Sequence, residues 1–274
     1  MSEAPAVLRI VSQWAIGLAL AAVLTAFFLS LAAYQMTSAE TGQRILRRAI
    51  AVTTDIDETL PRIETALSAA AAGGEGTRVR VPGFPIPVDI PREEIPLDQP
   101  QLRQRLLDEG ARNLYGSGMS QWAASDPDAR QKVDRVSAAG AVHRGLGLIQ
   151  DSTHSTFLVA TVLLGLLALV LAGVLVATVP GHLRLLTMGS IILAAALPLL
   201  AGAVALRFAF RTAEPAADPF VDGLLELGVD ALWVPIRHYL ALTVLGGAIT
   251  LMGLGVVWQQ QRDRARLGTQ PPLA

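Results

Sequence analysis

Long apolar runs alternate with polar segments along this chain. Two of the runs, residues 156–179 and 185–206, are separated by only five residues and contain no Asp, Glu, Lys or Arg. Each is long enough to supply the roughly 20 apolar residues with which a helix crosses about 30 Å of hydrocarbon. Five residues cannot return to the other side, so the two runs predict a tight hairpin of transmembrane helices.

Two further runs, residues 11–34 and 238–258, also lack charged residues, and Gln13 is the one strongly polar member of the first. Residues 1–39 could instead be a cleaved signal peptide. Such a peptide has an apolar stretch of about 7–15 residues behind a positively charged start. Because this run is longer and Arg9 is the only side-chain cation before it, we favour an uncleaved helix.

The pattern therefore predicts an all-α membrane fold, a four-helix transmembrane bundle that carries a mainly helical extracytoplasmic insertion. The expected order is: an N-terminal tail (1–10), the first span (11–34), the insertion (35–155), the second span (156–179), a turn (180–184), the third span (185–206), a loop (207–237) with an amphipathic helix at 219–233, the fourth span (238–258) and a C-terminal tail (259–274).

Charge asymmetry predicts the orientation of the spans. The two tails and the hairpin turn hold five arginines and two acids, a net charge of +3, whereas the loop 207–237 holds three arginines and five acids, a net charge of −2. Short loops rich in arginine stay in the cytoplasm. We therefore expect both termini to be cytoplasmic and the segment 35–155 to lie outside, although the arginines near its start oppose this weakly.

The insertion is expected to contain three helices. The first covers about 40–70 and should kink or split near Leu60, because Pro61 removes a backbone donor. The second begins at a capping Asp98 and stops near Gly116, with Asp108 and Arg112 as an i,i+4 pair. The third covers 127–150 and leads into the second span. The apolar face expected for the second helix consists of Leu102, Leu106, Leu107, Ala111 and Leu114.

Residues 78–90 change to a period of two and carry alternate prolines. Pro82 and Gly83 suit the centre of a type II turn, so a small hairpin is expected, with a polyproline-like loop as the alternative. We expect the helices at 40–70 and 127–150 to form an antiparallel stalk. The proline-rich stretch and the helix 99–115 would form its cap.

The amphipathic helix 219–233 has an apolar face and an acidic face. It is too short to span a membrane, and interfacial helices are usually rich in Lys and Arg rather than in acids. We therefore expect it to dock on the insertion, with Asp222, Glu226 and Asp230 turned toward water or toward arginines. Attachment to the membrane surface is the alternative.

Composition narrows the class of protein. The chain is 52% hydrophobic and only 16% charged, whereas soluble domains carry about 25% charged residues. The absence of cysteine excludes disulfides and thiolate metal sites, and a net charge of −1 gives no electrostatic case for nucleic acid. Lys132 is the one lysine among many arginines, which is typical of a bacterial gene of high GC content.

No motif predicts a catalytic residue, a cofactor site or a metal site. The acidic cluster at 55–58 lacks the spaced ligands and the glycine of a calcium loop, and 115–120 does not have the spacing of a serine nucleophile elbow. No two of the four histidines are three to five residues apart, as a local metal pair would require. His154 and His238 could form a pH-sensitive pair near Asp151 and Asp230, but interfacial polar side chains are the simpler interpretation.

Gly17, Ala21 and Thr25 recur every four residues in the first span, a spacing that permits close helix packing. Packing within the bundle is favoured, and a homo-oligomer is the alternative. The layout resembles, in topology alone, the four-span permeases of the cell-division and lipoprotein-release ABC class. It is similar in outline to claudins, but their W-GLW-C-C pattern is missing because the chain has no cysteine.

No span has an ionisable residue in its interior, which argues against an ion-coupled transporter. We expect a multi-pass bacterial plasma-membrane protein that acts in binding, scaffolding or assembly of the envelope. It would act through the insertion, with the lipid bilayer and a membrane or envelope protein as partners. The alternatives are an accessory or permease-like subunit of a membrane complex and an enzyme acting on envelope lipid or polymer.

Overall fold

The computed structural model describes residues 4–54, 56–73, 76–95, 98–118, 145–212 and 219–268. The chain forms two compact units. The bundle unit consists of Met1–Ala32, Phe157–Ala205 and Val234–Ala274, and the interspan unit consists of Ala33–Thr156 and Leu206–Trp233.

The described elements are mainly helices. In chain order they are α1 (Ala4–Met36), α2 (Ala39–Thr53), α3 (Ile56–Gly73), β1 (Arg78–Arg80), β2 (Asp89–Pro91), a 3₁₀ turn (Arg92–Glu94), α4 (Gln99–Ser117), α5 (Asp151–Thr178), a second 3₁₀ turn (Gly181–Leu183), α6 (Arg184–Thr212), α7 (Pro219–Ala231) and α8 (Trp233–Gly268).

Four of the described helices, α1, α5, α6 and α8, are long and apolar enough to cross a membrane. They cover the four charge-free runs of the sequence, except that Val179 follows the end of α5, and each helix also extends into polar sequence. The described part of the chain is therefore mainly helical, consistent with an all-α membrane fold. The short turn at Gly181–Leu183 connects α5 to α6, as the five-residue separation predicts.

Within the bundle unit α1 packs against α5 through small and apolar side chains. Leu20 is completely buried in a cluster that also contains Ala168 and Leu175. Two polar contacts join the same pair of helices. The Gln13 amide donates a 2.7 Å hydrogen bond to the carbonyl of Thr178, and the hydroxyls of Ser30 and Thr161 lie 2.9 Å apart. The polar groups of these apolar helices therefore bond to each other rather than to lipid.

A second cluster joins α1 to α6 and α8, with Phe28, Ala195 and Tyr239 among its buried members. The small-residue spacing in α1 serves packing inside the bundle at Gly17, where an added Cβ would lie 3.7 Å from Ile191 of α6. Thr25 bonds to the carbonyl of Ala21 in its own helix. This agrees with the favoured interpretation of that spacing.

The interspan unit has a hydrophobic core of its own. The apolar face predicted for α4 is buried in full, from Leu102 to Leu114. Ile50 of α2 and Ile56 of α3 are completely buried in the same cluster. The Asp98 side chain caps α4 by accepting a 3.0 Å hydrogen bond from the amide of Gln101, and α4 ends before Gly118, whose φ is +78°. Local signals therefore predicted both ends of this helix to within two residues.

The proline-rich stretch forms a small hairpin whose pairing differs from the expected one. β1 and β2 are antiparallel, with Val79 opposite Ile90. The predicted second strand, residues 84–88, instead lies in the connection, where the amide of Val81 donates to the carbonyl of Val88 at 2.9 Å. Gly83 has a φ of +74°, as the second central residue of a type II turn requires. The connection bends at Pro85 and Ile86. Its alternate apolar side chains enter the core; these are Phe84, Ile86 and Val88.

Two predictions about the helices were wrong. The break expected near Leu60 lies at Thr54, between α2 and α3, and Pro61 is accommodated inside α3. The helix 99–117 does not form a separate cap, because α4 packs along both α2 and α3. Most of the predicted helix 127–150 lies outside the described residues. Its last part provides two buried side chains to the core, Leu146 and Ile149.

Candidate functional site

Two adjacent arginines of α2 connect it to two other helices of the interspan unit. Neighbouring residues of a helix point about 100° apart, so Arg47 and Arg48 reach different partners. Arg47 bonds to Asp108 of α4 at 2.8 Å. Arg48 bonds to Glu226 at 3.0 Å and also contacts Asp230, both on α7. Helix α2 is therefore linked by charge to α4 on one side and to α7 on the other.

A groove of about 380 Å³ lies beside the Arg47–Asp108 pair. It is open to solvent, and charged, amide and apolar side chains share its walls. The lining residues are Arg47, Pro100, Arg103, Gln104, Leu107 and Asp108. Both guanidinium groups of the lining are paired with carboxylates, Arg47 with Asp108 and Arg103 with Asp57. A groove of this kind suits a hydrogen-bonding group of a binding partner.

Arg103, at the same groove, is fixed by a forked pair with Asp57 of α3. Its Nε donates at 2.6 Å to one carboxylate oxygen and its Nη2 at 3.3 Å to the other. The hydrogen bonds from Arg103 lower the pKa of Asp57 below its ordinary value, against a smaller opposing effect of burial. Since Asp57 belongs to the acidic cluster at 55–58, a described member of that cluster serves as the partner of an arginine. Asp55 lies outside the described residues.

The interspan unit also contains a cluster of aromatic and hydroxyl side chains at the end of α1 and the start of α5. The rings of Tyr34 and His154 stack with centroids 4.5 Å apart. His154 Nδ1 lies 3.4 Å from the Thr37 hydroxyl and 3.2 Å from the carbonyl of Tyr34. The hydroxyl of Tyr115 donates to the carbonyl of Thr37 at 2.9 Å. Burial, together with the negative charge of Asp151, raises the pKa of Tyr115.

This cluster closes tightly around α2. A Cβ added at Gly42 would lie 2.7 Å from Cγ2 of Ile149 and 3.2 Å from the ring of Tyr115. Only glycine fits at that position without a shift of its neighbours. The sequence did not predict this close contact of Gly42 with Ile149 and Tyr115, because Gly42 lies inside an otherwise ordinary amphipathic helix.

Each of the two histidines considered as a pair has local partners within its own unit. His154 and His238 belong to different units, and each has its own partner. His154 stacks on Tyr34, whereas His238 Nδ1 lies 2.9 Å from the carbonyl of Val234 in its own helix. His143 lies outside the described residues. Among the described residues, no three His, Asp or Glu side chains converge to form a metal site.

The glycine-rich stretch 115–120 is a helix exit as far as the structure describes it. Ser117 donates to the carbonyl of Asn113 at 2.5 Å, and its helix ends there. Ser120 lies outside the described residues. The predicted Asp108–Arg112 pair does not form, because Asp108 bonds to Arg47 and Arg112 bonds to Glu109.

The docking of the amphipathic helix is observed. α7 packs against α2, and Leu227 of α7 is buried in the core of the interspan unit with only 3% exposure. Two of its three acids face an arginine, as the acidic pattern led us to expect, although that pattern did not identify Arg48. The side chains of Asp222 and Leu224 are outside the described set.

Comparison with known proteins identified no matching family model, no curated relative and no solved structure of similar fold.

Proposed function

We propose that this chain is a multi-pass plasma-membrane protein of bacteria that binds an envelope partner through its interspan unit. The proposal rests on the way in which segments from different parts of the chain combine in that unit. Two segments that follow different spans, α2 and α7, are joined in one core by Leu227 and by the Arg48 ion pairs. A binding event on the unit would thereby act on the ends of several spans together.

The chemistry of the chain favours binding over transport or catalysis. The runs 11–34, 156–179, 185–206 and 239–258 have no Asp, Glu, Lys, Arg or His, whereas coupled transporters usually need such a residue in the membrane. Several described acids of the interspan unit bond to an arginine of another element, as in Asp57–Arg103 and Asp108–Arg47. These pairs fix helices in place and leave the groove beside α4 as the proposed surface for the partner.

The proposed orientation places both termini in the cytoplasm and the interspan unit outside, on the basis of the charge asymmetry. Single cysteines in this cysteine-free chain test it. An impermeant maleimide applied to whole cells should label Ser68→Cys on the exposed face of α3 and should miss Gly181→Cys in the α5–α6 turn. Labelling of Gly181→Cys alone would reverse the orientation.

A photo-crosslinking amino acid at Gln104 tests the binding proposal in cells. Gln104 lines the groove, and Ser68, on the exposed surface of α3, is the matched control position. We expect one discrete adduct from Gln104, identified by mass spectrometry, that weakens when Arg103→Ala is added. Absence of adducts from Gln104, together with adducts from Gly181 to an ATPase, would contradict this function and favour a permease-like subunit.

A further inference from the structure

Arg207 stands at the boundary between apolar and polar sequence. It is the first ionisable residue after the charge-free run 185–206 and lies in the last part of α6. Its guanidinium carbon lies 4.7 Å from the centre of the Trp233 ring. An arginine stacked on a tryptophan is held in place by the attraction of the cation for the ring face. Position and stacking together immobilise this cation at the end of a span.

The described part of the chain provides no acceptor for Arg207. No carboxylate pairs with it there, and its Nε is buried without a hydrogen-bond partner. Many other arginines of the interspan unit bond to a carboxylate, although the Nε of Arg92 is also buried without a partner. Those with a carboxylate partner are Arg44, Arg47, Arg48, Arg78, Arg103, Arg105 and Arg112. Arg207 is therefore a held guanidinium with no acceptor among the described residues, and its N–H groups suit an anion from outside the chain.

The surface around Arg207 is apolar. Leu206 is 46% exposed, Phe208 is 66% exposed and Trp233 is 49% exposed. A free anion in water gains nothing from such surroundings, whereas a phospholipid presents a phosphate beside acyl chains. Tryptophan and arginine at the end of a span also match the level of lipid headgroups.

We propose that Arg207 and Trp233 form a binding site for the phosphate of an anionic phospholipid. Arg211, one turn further along α6 and also exposed, adds positive charge on the same face. Guanidinium N–H groups would donate to the phosphate oxygens, the geometry for which arginine is better suited than lysine. The acyl chains would cover Leu206 and Phe208. The site does not depend on the proposed partner or on the orientation of the spans.

Delipidated full-length protein in a neutral detergent tests this site. Phosphatidylglycerol added to the micelles in increasing mole fraction should raise the melting temperature of the wild-type protein. Dioleoylglycerol, which has the acyl chains without the phosphate, should not. Arg207→Gln should weaken the response about tenfold, since a hydrogen bond to a charged group is worth about one decade in affinity.

Three variants separate the site from general charge effects. Arg207→Lys keeps the charge but loses the fork, so it should recover only part of the response. Trp233→Leu should weaken the response as Arg207→Gln does. Arg80→Gln removes an exposed arginine of β1 and should respond like the wild-type protein. Circular dichroism and gel filtration confirm that each variant is folded before it is compared.

Three results would overturn the site. Equal responses of Arg207→Gln and the wild-type protein to phosphatidylglycerol would remove Arg207 from lipid binding. An equal response to dioleoylglycerol would show that the phosphate is not recognised. Stabilisation by inorganic phosphate alone, at millimolar concentration and without lipid, would mean that the site takes a free anion rather than a phospholipid.

Discussion

Gly246 of α8 lies against the backbone of Leu193 in α6. A Cβ added at Gly246 would stand 2.9 Å from the amide nitrogen of Leu193 and 3.3 Å from the carbonyl of Gly189. The two helices meet in the same way one heptad later at Gly253, where an added Cβ would contact the backbone of Leu186. The hydrophobic effect does not drive helices together inside a membrane. Small residues at such crossings instead let the backbones approach closely, so that van der Waals packing stabilises the helix pair.

Gly246→Ala should therefore separate α6 from α8 and destabilise the bundle unit. Overpacking a close contact costs about 1–3 kcal/mol, and backbone atoms cannot move aside as a side chain can. Gly247→Ala is the matched control, because nothing lies within 4 Å of its added Cβ; it should be neutral or stabilising by up to about 1 kcal/mol. The measurement is unfolding in mixed detergent micelles, and equal effects of the two variants would contradict the crossing.

Local sequence signals predicted some elements accurately, and the physical reason is that those signals do not depend on distant contacts. The capping Asp98, the apolar stripe of α4 and the stop before Gly118 act within a few residues of one another. The four spans follow from length and apolarity alone. The acidic face of α7 predicted that it would dock against arginines, though not which ones.

Other features depend on residues that are distant in sequence. Asp108 pairs with Arg47, which is 61 residues away, instead of with Arg112 in the next turn. The break at Thr54 is not marked by a proline or a glycine. We attribute its position to the packing of α2 and α3 in one core. The two strands of the 78–91 hairpin are separated in sequence by a longer connection than predicted. Ile86 and Val88 of that connection are buried in the core instead of pairing with β1.

Arg48→Ala should loosen α7 from α2 at moderate cost to overall stability. Arg48 is 46% exposed, so its ion pairs contribute at most about 1 kcal/mol. Removing it also leaves Glu226 and Asp230 as like charges one turn apart on α7. We expect faster amide hydrogen exchange in α7, and the effect should diminish at high salt.

Arg44→Ala is the control for Arg48→Ala, because the ion pair of Arg44 among the described residues is with Glu40 of its own helix. It should leave the exchange of α7 unchanged. Combining Arg48→Ala with Glu226→Gln and Asp230→Asn should restore part of the protection, since the repulsion between the two acids is then removed. Unaltered exchange in α7 of the single Arg48→Ala variant would show that the ion pairs do not hold this helix.

The Asp57–Arg103 pair should make a small, pH-dependent contribution to stability. The pKa of Asp57 is lowered by its hydrogen bonds with Arg103, so the folded state favours the charged carboxylate. The contribution is therefore present above the unfolded pKa of about 3.9 and is lost as the pH falls through the lower folded pKa. Because Asp57 is 74% exposed, we expect Asp57→Asn to cost only about 0.2–1 kcal/mol at pH 7.

Chemical denaturation of Asp57→Asn and wild-type protein between pH 7 and pH 3 measures this contribution. The difference should shrink below about pH 4. Glu58→Gln is the control, since Glu58 is exposed and has no ion pair among the described residues; its effect should be smaller at pH 7. A difference for Asp57→Asn that stayed constant across this pH range would rule out a role for the carboxylate charge.

Leu227→Ala should release α7 more completely than the loss of its ion pairs. Leu227 is only 3% exposed and belongs to the hydrophobic core of the interspan unit. Truncating a buried leucine costs about 2–5 kcal/mol, because transfer free energy is lost and a cavity remains. The exposed neighbour Glu226 provides the control, since Glu226→Ala removes a side chain of similar size without opening the core. We expect a clear fall in melting temperature for Leu227→Ala and a slight one for Glu226→Ala. The opposite result would be an unchanged melting temperature for Leu227→Ala, together with loss of lipid-vesicle binding when the same substitution is made in a peptide of residues 219–233. That result would place α7 on the membrane surface and refute its docking on α2.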